Sequence, residues 1–291
     1  MRGGRLVSTR RRWIIVIAVL GVVVASFLGV QQMLGVQVTE EFLQPQVVSP
    51  VEGGVVNTVL VGVTWKESGW CYGQFKVNAT ESPSQVRVGP VISRSYSRGA
   101  CAGLGTVNNM VWTSLTLASA LGTRKVVRDS DGIVLPVVSP GMAASLACKD
   151  AIASKADPPA DLSVVFNQVA LPTANAVQAN RSGESDPGAR LFAKVGLFVA
   201  SDASVALIVP PEWLGRVTIG WDNSGMRTTH LFVSGCKATG SQKRWLVFAG
   251  GFWVGEPACV PLLVRSGAQE QKVQIGVGAA CPGQAAPPPG D

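Results

Sequence analysis

The chain is expected to be mainly β: an N-terminal transmembrane helix followed by two disulfide-containing β-sandwich-like domains. Three observations predict this. Glycine (33) and proline (18) are abundant while charged residues make up only 15% of the chain. That balance favours turn-rich β structure over helical bundles and argues against disorder or coiled coil. Short runs of β-branched or alternating residues, separated by turn residues about 8–12 positions apart, recur along the chain. Six cysteines, an even number, all lie beyond the apolar N-terminal segment.

The N-terminus justifies the helix. Arg2, Arg5, Arg10, Arg11 and Arg12 stand in the first twelve residues with no acid among them. Trp13 to Val30 then runs apolar, with Ser26 its one polar member. At a rise of about 1.5 Å per residue this run nearly spans a hydrocarbon core of about 30 Å, and Met33–Val36 extend it. Arginines before the span and none just after it place the N-terminus in the cytoplasm and the rest outside. The apolar run exceeds that of a cleaved signal peptide, and its end lacks a small-x-small site, so residues 13–36 read as a signal anchor. Thr9-Arg10-Arg11-Arg12-Trp13 loosely resembles a twin-arginine signal, but reads as a positive-inside flank. The first cysteine, Cys71, is too distant for a lipoprotein anchor.

This segment also accounts for the charge. The net +7 and pI near 9.3 would suggest an acidic partner. Of 25 basic residues, five lie in the tail at 1–12, leaving 20 against 18 acids, or about +2. Such a body has no basic footprint, and nucleic acid is excluded as a partner.

Residues 37–52, with two prolines and little pattern, read as a stalk. A first β domain is expected over 53–138, with strands at 55–64, 74–80, 85–88, 110–117, 124–127 and 133–137. Phe75, Val77 and Ala79 alternate with Gln74, Lys76 and Asn78, and Val86 and Val88 face inward. Asp129-Ser130-Asp131-Gly132 has hairpin-turn chemistry. It resembles the opening of a calcium loop but lacks the closing Glu. Ser139-Pro140-Gly141 and apolar residues spaced three to five apart predict a short helix near 140–154, within a linker at 139–160. A second β domain at 161–281 has eight expected strands: 162–171, 190–200, 205–209, 217–221, 230–234, 245–254, 260–264 and 272–277. The Gly250-Gly251 pair within 245–254 predicts a bulge that turns the strand. The polar stretch 175–188 reads as a mobile loop and the Pro-rich 282–291 as a tail without packed structure.

In an oxidising compartment Cys71, Cys101, Cys148, Cys236, Cys259 and Cys281 should form three disulfides. Cys71–Cys101 would contribute about 3–4 kcal/mol through chain entropy. The other four allow three connectivities; Cys236–Cys259 with Cys148–Cys281 is the favoured one.

No residue pattern points to a catalytic, cofactor or metal site. His230 is the one histidine and no Gly-x-Ser-x-Gly elbow is present, so a nucleophilic triad has little to use. One histidine with oxidised cysteines does not make a zinc site. Gly99–Gly105 is glycine-rich but lacks a following Lys-Ser or Lys-Thr. A glycosidase needs only two acids, for which Glu212, Asp222 and Glu256 are candidates. Trp65, Trp70 and Tyr72 cluster around Cys71. A tryptophan there can pack on a disulfide, as in immunoglobulin domains, or form a platform for a sugar ring or a protein. Trp70 and Tyr72 are the candidate binding residues. Trp245, Phe248, Phe252 and Trp253 share one strand, and at least half should be core.

Gly251-Phe-Trp-Val-Gly-Glu-Pro-Ala-Cys-Val-Pro-Leu262, together with the N-terminal anchor, resembles uncharacterised membrane-anchored exported proteins of high-GC actinobacteria, over about the last 90 residues of the body. The resemblance implies an extracytoplasmic setting and no particular activity. The combined expectation is a single-pass cell-membrane protein, non-enzymatic, that binds or scaffolds a protein or glycan of the cell envelope. The alternatives are an envelope glycan hydrolase using paired carboxylates and a polysaccharide-binding module.

Overall fold

The computed structural model describes residues 38–51, 57–64, 71–96, 106–222, 225–237 and 244–287. The basic tail and the expected anchor at 13–36 lie outside these residues. Among the described residues no helix is long and apolar enough to cross a membrane. The described residues are mainly β, with only single turns of 3-10 helix between strands. Ten strands precede residue 140: β1 (Val38–Leu43), β2 (Val47–Pro50), β3 (Thr58–Thr64), β4 (Cys71–Lys76), β5 (Ala79–Glu81), β6 (Gln85–Val88), β7 (Val91–Tyr96), β8 (Thr106–Val107), β9 (Met110–Thr116) and β10 (Lys125–Arg128). Fourteen follow. They are β11 (Ala143–Leu146), β12 (Ala153–Lys155), β13 (Ser163–Val165), β14 (Val169–Leu171), β15 (Asn180–Arg181), β16 (Leu191–Lys194) and β17 (Leu197–Ala200). The chain continues through β18 (Ser204–Ile208), β19 (Val217–Gly220), β20 (His230–Ser234), β21 (Trp245–Phe248), β22 (Gly251–Val254), β23 (Ala258–Ser266) and β24 (Gln269–Val277).

The sheets stack in sandwich-like layers separated by three hydrophobic clusters. Sheets β1-β7-β4, β10-β6-β5 and β2-β3-β9-β8 enclose the first, around Val59, Val61, Val63, Val86, Val88 and Val126. The largest cluster lies beneath sheet β11-β20-β18-β23-β24, against sheets β12-β21-β17-β14-β13 and β15-β16-β22-β19. A third cluster, Val47, Met110, Ala143, Ala206, Ile208 and Phe232, joins sheet β2-β3-β9-β8 to sheet β11-β20-β18-β23-β24. Both joining sheets are therefore apolar on two faces. Val205 and Leu207 of β18 enter the largest cluster while Ala206 and Ile208 enter the third. This explains why Val205-Ala-Leu-Ile-Val209 reads as an unbroken apolar run, as strands covered on both sides do. Edge strand β24 alternates instead, with Lys272 and Gln274 exposed and Val273 and Ile275 buried.

The joint is pinned by a turn. Asn108 (φ 53°) and Asn109 (φ 59°) close the β8–β9 hairpin, as a two-residue type I′ turn requires of both central residues. Asn108 Nδ2 donates to Gly141 O at 3.1 Å and Asn109 Nδ2 to Ser145 O at 3.1 Å. The Ser145 N–H donates to Asn108 O at 2.9 Å.

Several expectations are corrected. The stalk at 37–52 contains β1 and β2, paired with β7 and β3; Val47 and Val48 are fully buried, one in each neighbouring cluster. The helix near 140–154 is two 3-10 turns, Pro140–Met142 and Cys148–Asp150, around β11 and before β12. The 139–160 segment is thus part of two sheets, because β11 is held in parallel register by β20. Residues 133–137 carry only isolated bridges, Val127↔Val134 and Val48↔Val137. Residues 162–171 form a hairpin, β13–β14, reversed at Phe166 and Asn167, both at positive φ. Residues 175–188 are held along sheet edges by β15 and by bridges Asn175↔Ala285 and Val177↔Val277. Residues 282–287 pack through Gln284, described below; 288–291 lie outside the described residues.

The strand expected at 245–254 is two strands, interrupted by a bend at Ala249 and Gly250. Its first half, β21, pairs with β17 and its second half, β22, with β16. The two chain segments 191–200 and 245–254 thus cross together from one sheet to the next, linked at the crossing by Val195 N–H to Gly250 O at 2.9 Å. The bend needs glycine, as tight corners between sheets commonly do. A Cβ on Gly250 would lie 2.0 Å from Gly220 O, and one on Gly251 1.9 Å from Ala193 O.

Two disulfides are described, Cys148–Cys236 and Cys259–Cys281, and none of the described cysteines is free. This corrects the favoured pairing of Cys236 with Cys259 and Cys148 with Cys281. The parallel β11–β20 pair ends at Leu146↔Val233, which brings Cys148 and Cys236 together with Cα atoms 5.4 Å apart. β20 and β23 both run antiparallel to β18, so Cys236 follows one strand while Cys259 begins the other, at opposite ends of the sheet. Beyond β24 the chain turns at Gly278 (φ 68°) and returns Cys281 to Cys259, Cα to Cα 4.9 Å. Cys71 begins β4, but its side chain and Cys101 lie outside the described residues, and so does their expected bridge.

Gly250→Ala and Gly251→Ala should each lower stability by about 2–3 kcal/mol in denaturant unfolding, from forced overpacking. Gly141→Ala, with nothing within 4 Å of its Cβ position, should stay within about 0.5 kcal/mol of the parent. Equal effects at all three positions would contradict the close approach.

Candidate functional site

Sheet β15-β16-β22-β19 places one row of side chains on a single face through its register: Asn180 opposite Phe192, Phe192 opposite Trp253, and Trp253 opposite Thr218. Directly opposed residues in paired strands share a face. Their neighbours Ala193, Phe252 and Ile219 point the other way and are fully buried. Phe192 and Trp253 are half-buried, with ring centroids 4.5 Å apart and planes at 34°. Next along the sheet come Lys194, Gly251 and Gly220. Phe192 Cε2 lies 3.0 Å from the Cβ position of Gly251, and Trp253 Cζ3 3.4 Å from that of Gly220. The rings thus lie close against the glycine backbone, whose Cβ positions are taken by the carbonyls of Ala193 and Met226.

Beside Phe192 opens a cleft of about 730 Å³, within the range of small-molecule sites. Its polar lining is Asp161, Asn175, Gln178, Asn180, Arg181 and Lys194. Gln178 Nε2 donates to Asn180 Oδ1 at 3.4 Å, which joins two of the three amides. Neither Arg181 nor Lys194 has a carboxylate at salt-bridge distance among the described residues.

The wall that carries these amides is rigidly held. Ala176 N–H donates to Ala285 O at 3.1 Å and Val177 N–H to Gly276 O at 2.8 Å. Gln284 Nε2 donates to Thr173 O at 2.8 Å and to Gln274 O at 3.0 Å, while its Oε1 accepts from Cys281 N–H at 3.0 Å. The Cys259–Cys281 bridge anchors this clamp to β23.

A second cleft, of about 320 Å³, lies between β1–β2 and sheet β11-β20-β18-β23-β24, with Arg128, Asp131 and Arg265 in its lining. Its cations are engaged. Arg128 pairs with Asp131 at 2.8 Å and donates to Pro45 O at 3.1 Å. Arg265 pairs with Glu270 and donates to Val134 O at 3.1 Å. Burial raises the Asp131 carboxyl, but the Arg128 hydrogen bond and the Ile133 N–H outweigh it, so the net shift is downward. A third cleft, of about 270 Å³, contains Glu256, Trp213 and Arg216, whose guanidinium stacks 4.3 Å from the Trp213 ring centroid.

The residues singled out by sequence are dispersed. Tyr72 lies in β4 opposite Ser95, but its side chain and Trp70 are outside the described residues. Glu212 pairs with Lys272 at 3.6 Å, Asp222 accepts from Met226 N–H at 2.9 Å, and Glu256 lines the third cleft. None of these three clefts is lined by two carboxylates, and among the described residues no three His, Cys, Asp or Glu side chains converge as a metal site. Trp245, Phe248 and Phe252 are buried in the largest cluster. The aromatic–amide cleft was not singled out by sequence reasoning. The alternation of Leu191 and Ala193 with Phe192 and Lys194 was a signal for two faces. Which strand would pair beside them had no local signal.

His230 is 4% exposed. Thr229 Oγ1 donates to Met142 O at 3.2 Å and lies 3.0 Å from His230 Nδ1. Burial, and secondarily the Arg265 charge, push the His230 pKa down to about 4. The unfolded chain takes up this proton near pH 6.5, and the folded protein only near pH 4. Stability is therefore fully present above about pH 6.5 and falls as pH drops towards 4, by at most about 3 kcal/mol. Denaturant midpoints measured across this interval should show the slope, and His230→Gln should flatten it. An unchanged slope in that variant would assign the acid sensitivity elsewhere.

Comparisons with protein-family models, with curated proteins and with solved structures give no match to this chain.

Proposed function

We propose that the chain is a non-enzymatic binding or scaffolding protein of the cell envelope. Residues 13–36 hold it in the membrane with the N-terminus cytoplasmic, and the β body stands outside as two sandwich-like units. The observation that carries the reading is the cleft beside Phe192. Aromatic rings stacked on a sheet face, an amide-bearing wall clamped by Gln284, and two cations without carboxylate partners among the described residues make a preorganised surface for recognition. The location is supported by the arginines before the apolar run, which fit the positive-inside pattern. The disulfides Cys148–Cys236 and Cys259–Cys281 fit an oxidising compartment. In the chain-entropy picture their loops of 88 and 22 residues contribute about 4–5 and 3–4 kcal/mol.

Fractionation of cells producing the full chain should place it with membranes, and protease added to intact cells should remove the body. Alkylation of the purified, denatured and unreduced protein should find no free thiol. Recovery in the soluble cytoplasmic fraction with two or more free thiols would overturn the assignment.

A further inference from the structure

Resting on the reading of the chain as an envelope binding protein, we propose that the cleft beside Phe192 binds an acidic polysaccharide, one whose sugar rings carry carboxylates. Three features of the cleft specify this chemistry. The exposed part of Phe192, steadied by Trp253 at 4.5 Å, offers an apolar surface for the C–H face of a pyranose ring. Asn175, Gln178 and Asn180 supply paired donors and acceptors, which suits hydroxyl groups better than a purely apolar or purely ionic ligand.

Charge sets the class. The cleft has Arg181 and Lys194 against one acid, Asp161, and neither cation is at salt-bridge distance from a carboxylate among the described residues. In the 320 Å³ cleft, by contrast, both arginines are paired. An anionic ligand therefore meets cations here without first displacing an internal partner. Position extends the argument from a single sugar to a chain. Lys194 shares the face of Phe192, whereas Arg181 stands opposite Leu191 on the alternate face and enters the cleft lining from the two-residue edge strand β15; in register the two cations are three residues, or about 10 Å, apart along β16. One carboxylate cannot satisfy both, whereas a polymer with an acid on successive units reaches each while a ring rests on Phe192. The wall limits the ordering cost on binding, because the backbone that carries the amides is already tied by Gln284 to Thr173 O and by the Asn175–Ala285 bridge.

The test uses the full chain in detergent micelles. Affinity is measured for polygalacturonate, for its carboxyl-reduced form, for dextran and for polyglutamate. Polygalacturonate should bind in preference to all three and weaken with added salt. Arg181→Gln and Lys194→Gln, both at exposed positions, should each weaken it about tenfold or more, as expected for loss of a hydrogen bond to a charged group. Phe192→Ala should weaken it too; because Phe192 is half-buried, Phe192→Tyr serves as the folded control and should retain binding. Binding of dextran or the carboxyl-reduced polymer as strongly as polygalacturonate would overturn the acidic class while leaving the envelope-binding role in place. Equal binding of polyglutamate would overturn the saccharide. Binding untouched by the two cation variants, or no binding to any polymer, would overturn the site.

Discussion

Backbone packed directly against backbone at Gly220, Gly250 and Gly251 is the constraint on which the larger half of the molecule depends. Two chain segments, 191–200 and 245–254, must serve two sheets in succession. They can do so only if the ribbon bends where its neighbours already press on it. The carbonyls of Gly220, Ala193 and Met226 occupy the places that Cβ atoms would take. The bend then has two results at once. On one side Phe248, Phe252, Ile219 and Trp221 close into the core, with Trp221 meeting Phe252 edge-on at 5.2 Å. On the other face Phe192 and Trp253 lie close to the glycine backbone itself.

A second constraint is double-sided burial. Sheets β2-β3-β9-β8 and β11-β20-β18-β23-β24 are each covered on two faces. The space between them is filled by residues from both halves of the chain and closed by the Asn108-Asn109 turn. Two polar pairs lie in this layer: Ser234 Oγ donates to Thr64 Oγ1 at 2.7 Å, and His230 meets Thr229, while the buried Trp112 Nε1, packed against the same cluster, has no hydrogen-bond partner among the described residues. Hydrogen-bonded polar groups of this kind cost little once paired but specify one arrangement of the two sheets.

What could be read from sequence followed from how local the deciding physics is. Strands with one wet face were legible: β6 with Val86 and Val88 inward, and β24 with its lysine and glutamines outward. β20 was legible in its bounds. The glycine pair at 250–251 correctly marked a turn in a strand. Failures came where distant partners decide. Ser139-Pro140 has the chemistry of a helix start, yet parallel pairing with β20 makes the next residues a strand. Val47 and Val48 were read as stalk because a four-residue strand has too few alternations to register. The β13–β14 reversal passes through Phe166 in a left-handed conformation, which composition does not suggest. The disulfide pairing required the strand order of a sheet. The cleft was missed for the same reason, since Asn180 and Phe192 become neighbours only through β15–β16 pairing.

Gln284 gives the molecule an order of completion. Its amide collects Thr173, Gln274 and the Cys281 N–H, and every one of these groups is made before it. The sheets that form the core are all synthesised by Val277, whereas the wall of the Phe192 cleft waits for the residues that follow. During vectorial synthesis the body can thus collapse first while its recognition surface stays unfinished. A chain interrupted between Val277 and Gln284 would keep its sheets and lack a finished wall.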